Sequence, residues 1–67
     1  MHRTSIKARL LEAGIKQVDI ARQIGVDPSA VSAIIAGRKR SRRVREAIAR
    51  ALGVKIQELW PEEEAEW

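Results

Sequence analysis

Apolar residues recur along this chain at three- and four-residue spacings, in short runs each closed by a glycine or a proline. That pattern predicts five short helices. Ile6, Leu10 and Ala13 predict a first helix over 4–13, stopped by Gly14. Ile20, Ala21 and Ile24 predict a second over 17–24, with Gly25 as its C-cap. Asp27 is a good N-cap for a third helix over 28–36, and Pro28 suits its first position, where a missing N–H costs nothing. This helix turns Val31, Ile34 and Ile35 inward and ends at Gly37. Ser41 caps a fourth helix, in which Val44, Ala47, Ile48, Ala51 and Leu52 share a face before Gly53. A last turn over 55–60 offers Ile56, Leu59 and Trp60 to the core ahead of Pro61. No stretch alternates apolar and polar long enough to make a strand. The fold class is all-α, with one helical domain over 1–60 and an acidic tail over 61–67.

Size and charge narrow the function. A chain of 67 residues buries only about 60% of its unfolded surface. With no Cys and a single His, it has neither a disulfide nor a metal to add stability. No run approaches the roughly 20 apolar residues of a membrane span, and residues 1–5 lack the apolar stretch of a signal peptide. A cytoplasmic protein with no membrane partner is expected. Residues 1–57 carry all 13 Lys and Arg against four acids, a balance of +9, whereas residues 58–67 carry five Glu and no base, −5. A basic body with an acidic end implies a polyanionic partner, nucleic acid ahead of an anionic membrane.

Three features sharpen that implication. The second and third helices are joined by only Gly25-Val26-Asp27, the spacing of a helix-turn-helix, in which a steep crossing lets the second helix enter a major groove. Spacing alone leaves a plain αα-hairpin equally open. With Val31, Ile34 and Ile35 inward, however, the third helix turns out Ser29, Ser32, Ala33 and Ala36, all short and uncharged. An ordinary solvated face carries Glu, Lys or Gln; a bare one lets a helix lie close to base edges, where Ser can hydrogen-bond and Ala can touch a thymine methyl. Third, six of the 13 basic residues fall within 38–45. Arg42, Arg43 and Arg45 stand in the first turn of a helix, against the positive end of its dipole, which suggests that phosphates compensate. Ser29, Ser32 and Ala33 are thus the candidates for facing bases. Lys16, Gln17, Arg38, Lys39, Arg40, Arg42 and Arg43 are the candidates for holding phosphates.

Other residues carry weaker signals. Trp60 follows Ile56 and Leu59 at helical spacing and reads as the lid of a small core rather than a base-stacking platform. Glu62, Glu63 and Glu64 lack a neighbouring His or Cys and read as a solvated tail, and His2 has no evident partner. Trp67 reads equally as a frayed end or an interface anchor. No nucleophile–base pair, metal-ligand cluster or phosphate loop is visible, so neither an enzyme, a cofactor nor a small-molecule ligand is expected.

The run Lys16-Gln17-Val18-Asp19-Ile20-Ala21-Arg22-Gln23-Ile24-Gly25-Val26, then Val31-Ser32, Gly37-Arg38 and Ala49-Arg50-Ala51-Leu52-Gly53-Val54, resembles the lambda-repressor-like (Cro/C1, XRE) helix-turn-helix family. Within it, His2-Arg3, the fourth-helix run from Ile48 and Leu59-Trp60-Pro61 look most like the small phage regulators similar to the Mu phage Ner protein. The resemblance covers residues 4–60. It implies a compact five-helix DNA-binding fold, Gln17 on the DNA backbone, Pro28, Ser29, Ser32 and Ala33 toward bases, and Arg38 onward on phosphates. The chain departs from the pattern at Ile35, where many relatives have Glu, and in lacking long amides at Pro28, Ser29 and Ala33. The reading is a sequence-selective regulator of transcription, a phage or prophage repressor, acting as a homodimer on half-sites ~34 Å apart. A loosely specific nucleoid, antitoxin or recombination accessory uses the same surface, and a protein-interaction module built on the acidic tail and Trp67 is a third reading. About six phosphate contacts would give a salt slope near −5 in log K against log[salt].

Overall fold

The computed structural model describes residues 5–61, and all regular structure among them is helical. The helices are α1 (Ile6–Glu12), α2 (Gln17–Ile24), α3 (Pro28–Ile35), α4 (Arg42–Leu52) and α5 (Ile56–Leu59). His2, Glu62 to Glu64, Trp67 and the expected helix start at residue 4 lie outside the described residues. Ser5, Asp27 and Ser41 cap α1, α3 and α4 through their side-chain oxygens, which accept from the amides of Ala8, Ser29 and Val44. Each cap satisfies an N–H that has no intrahelical partner.

The stops are equally local. After α2, the Val26 amide donates to the Ala21 carbonyl at 2.9 Å and Gly25 takes φ 71°, a left-handed conformation that side chains with a Cβ resist. This reversal turns the chain within three residues and lays α3 against α2. Ile20, Ala21 and Val31 are buried in that crossing, with Val26 packed at its edge. Ala21 is 1% exposed, so the two helices meet over a methyl group and a larger side chain would push them apart. α4 packs against both α2 and α3, and α5 against α4. Among the described residues no helix is long and apolar enough to cross a membrane.

The core departs from the sequence expectation at several alanines, at Ile35 and at one arginine. Ala33, expected outward, is buried, because α3 packs against both α2 and α4 and so covers a wide arc. Ile35, expected inward, is only half-buried, and Ala13 is exposed as the C-cap of α1. On α4 the buried residues are Val44, Arg45, Ile48 and Ala49, while Ala51 is exposed. Alanines at 47, 49 and 51 fit almost any face, so they do not orient the helix. Trp60 is buried against this core, as its spacing predicts.

Candidate nucleic-acid interface

The exposed side of α3 is narrow and bare. Pro28, Ser29, Ser32 and the C-cap residue Ala36 are exposed, and at about 100° per residue they fall within an arc of roughly 100°. Nothing on that arc is longer than a hydroxymethyl or a pyrrolidine ring. Ser29 is held in place: its Oγ donates to Asp27 Oδ1 at 3.1 Å, and the same carboxylate oxygen accepts from its amide. The Ser29 hydroxyl is thereby committed as a donor, and its oxygen keeps acceptor capacity. Ala33 is not part of this face.

The leading end of α2 is built differently. Lys16 stands at its N-cap position, is exposed, and supplies no side-chain acceptor. The amides of Asp19 and Ile20 bond to the Lys16 carbonyl, which leaves those of Gln17 and Val18 for an outside acceptor. Gln17 is half-buried at the first helical position.

At the other end of α3, Gly37 takes φ 85° and the Arg38 amide donates to the Ala33 carbonyl at 2.9 Å. The same bond ends α1, α2 and α4, but there the donors are Ile15, Val26 and Val54, half-buried against the core. In this capping motif the residue after the glycine usually packs back on its helix. Arg38 instead is exposed, as are Lys39 and Arg40. No hydrogen bond or ion pair within the described residues holds these three side chains.

The arginines that follow are already engaged. Arg42 Nε donates to Glu46 Oε2 at 2.9 Å, one turn along α4. Arg43 Nη2 donates to the Ile24 carbonyl, the last of α2, at 2.8 Å. Arg45 is 3% exposed, with its guanidinium 5.0 Å from the centre of the Trp60 ring. The expected compensation of three cations at a helix start by phosphate is thus met, at least in part, inside the protein. A helix-turn-helix family profile matches residues 6–59, nearly all of the described structure.

The chain belongs to the Cro/C1-type helix-turn-helix family.

It is 40% identical over 55 residues to repressor protein C of Rhizobium phage 16-3, an alignment that covers 82% of this chain and 21% of that protein. The chain therefore spans about a fifth of the length of this relative. No solved structure matches. Within the helix-turn-helix, the structure leaves Pro28, Ser29 and Ser32 on the open face of α3 and Lys16, Arg38, Lys39 and Arg40 at the surface without side-chain partners. It turns Ala33 and Arg45 inward and ties Arg42 and Arg43 to protein acceptors. One of these departures is legible in the sequence. Glu46 lies four residues beyond Arg42, a standard helical pairing distance. Arg45 lies just outside the face expected from Val44, Ala47, Ile48, Ala51 and Leu52, and only the burial of Ala49 brings it into the covered arc. The bond from Arg43 to Ile24 has no local signature, since the two lie 19 positions apart.

Proposed function

We propose that this helix-turn-helix domain binds double-stranded DNA and regulates transcription as a phage or prophage repressor, with α3 lying in the major groove. The observation that carries the reading is the bare arc of Pro28, Ser29, Ser32 and Ala36, followed directly by three exposed cations without protein partners. A helix with short side chains approaches base edges closely, and cations beyond its end meet the strand that borders the groove. The unclaimed amides at the start of α2, beside Lys16, suit a second phosphate. Gln17, at that same start, adds an amide side chain for a phosphate across the groove. The name of the phage 16-3 relative supports repression as the outcome. A two-fold pair of domains would read half-sites about one helical turn apart, ~34 Å.

The phosphate grip then comprises Lys16, Arg38, Lys39 and Arg40, with Arg42 secondary. Four cations give a salt slope near −3.6, at about −0.9 each. Binding-site selection followed by salt titration on the selected duplex tests both halves of the proposal. Ser32→Ala is expected to change the preferred base at one position and to leave the slope intact. An equal loss on every sequence would remove Ser32 from base readout, and a salt-independent affinity would remove DNA altogether. The absence of Arg, Asn or Gln from the bare arc favours a second reading, a loosely specific DNA accessory. A selected site preferred by less than ~10³ over random duplex would support that reading.

A further inference from the structure

We infer that Arg43 is a positioning residue, a strut that sets the recognition helix and the basic loop in register, and not a phosphate contact. The inference rests on the DNA-binding reading above. The guanidinium of Arg43 joins the first turn of α4 to the last carbonyl of α2, immediately before the turn that launches α3. Electrostatics favours this lean. A cation in the first turn of α4 opposes that helix's dipole, whereas the same cation at the end of α2 complements the dipole there. Arg43 thus gains by reaching away from its own helix. Both Arg43 and its bond are exposed, so water would satisfy the Ile24 carbonyl in its absence. What the bond adds is geometry.

That geometry bears on the interface. The basic loop is pinned at its start, where the Arg38 amide meets the Ala33 carbonyl near the end of α3. Arg43 pins the far side of the loop to the end of α2, close to where α3 begins. Between these anchors, residues 38–43 must run back alongside α3, whose eight residues extend for about 12 Å. The strut therefore fixes the distance between the cations of the loop and the bare arc. A loop free to drift would still hold phosphates, but no longer the pair of strands that α3 requires. Sequence-specific binding should suffer and general binding should not.

Three variants test this at about 10 °C, with circular dichroism confirming that each is folded. Arg43→Met removes the donors and keeps the length; Arg43→Lys retains one donor and the charge; Lys39→Met removes a loop cation. Arg43→Met is expected to weaken the selected duplex tenfold or more while leaving affinity for random duplex and the salt slope unchanged. Arg43→Lys should recover most of the loss. Lys39→Met should weaken both duplexes and lower the slope by about 0.9. Without DNA, the amide resonances of Gly25 and Val26 should shift in Arg43→Met and stay put in Lys39→Met. A slope lowered by about 0.9 in Arg43→Met would make Arg43 a phosphate contact and overturn the inference. So would unchanged affinity for the selected duplex. If the wild-type domain binds no duplex, the DNA reading itself fails, a result separate from any behaviour of Arg43.

Discussion

Arg38-Lys39-Arg40 and Arg42-Arg43 with Arg45 are separated by one serine and nearly identical in charge, yet the fold uses them in opposite ways. The first group stands in a loop, exposed, where a half-buried apolar residue follows the helix stop at the three comparable sites. The second group opens α4, where a carboxylate, a carbonyl and an indole ring each take one guanidinium. Charge density along a sequence therefore locates where cations are, but the partners within reach decide what each one does. Among the described residues the loop's charge is met by no side-chain partner. The helix start spends its charge on holding the fold.

The largest effect should come from the loop. Replacing Arg38, Lys39 and Arg40 together by alanine removes three of the four proposed phosphate contacts. The salt slope should fall by about 2.7, and affinity near 0.1 M salt by between two and three orders of magnitude. Stability should change by no more than about 0.5 kcal/mol, since these side chains bond to nothing in the described structure. A variant that unfolds readily would place the loop cations among the structural group.

Arg45 should behave in the opposite sense. Its alanine variant empties a buried site beneath Trp60 and removes a desolvated cation–π contact, at a cost of about 2–3 kcal/mol. In a domain of this size that lowers Tm by roughly 10–20 °C. Arg45→Met refills the volume with an uncharged chain and should recover most of the loss, as replacement of buried charges by apolar groups often does. Calorimetry or thermal circular dichroism measures both. At a temperature where the variants are folded, their salt slopes should equal that of the wild type; a lowered slope would return Arg45 to the phosphate grip.

This division explains how far the sequence could be read. Helix number, order and stops are written locally: Ser5, Asp27 and Ser41 cap, and Gly25 and Gly37 reverse the chain, whatever packs around them. Those signals alone left a plain αα-hairpin equally open, and the bare face of α3 and the basic run after it were needed to favour a helix-turn-helix. Which way a helix faces depends on how many neighbours it has, and Ala33 shows the consequence. A small residue such as alanine fits either an open or a covered position, and only the packing around α3 decides. Arg45 departs for a related reason. The apolar face expected on α4, Val44 with Ala47, Ile48, Ala51 and Leu52, leaves Arg45 at its margin, whereas the buried face runs through Val44, Arg45, Ile48 and Ala49. A long side chain can bury its stem and find a ring for its head.

Arg42 offers the smallest effect and the finest test of where the two groups divide. Its ion pair with Glu46 is exposed, with side-chain exposures of 55% and 44%, so it contributes at most a few tenths of a kcal/mol. The pair also runs in the weaker order, with the cation N-terminal to the carboxylate. Arg42→Ala loses that pair but relieves a cation at the positive end of α4 and gains helix propensity, so its net effect on stability should lie within about 0.5 kcal/mol of zero. Glu46→Gln loses the pair without either relief and should be the more destabilising of the two. On DNA, an Arg42 held by Glu46 releases no counterion from the duplex, and the slope should shift by well under 0.9. A full shift of about 0.9 would mean that Arg42 exchanges Glu46 for a phosphate on binding. The boundary between grip and scaffold would then fall after Arg42 instead of at Ser41, with Arg43 as the first residue committed to the fold.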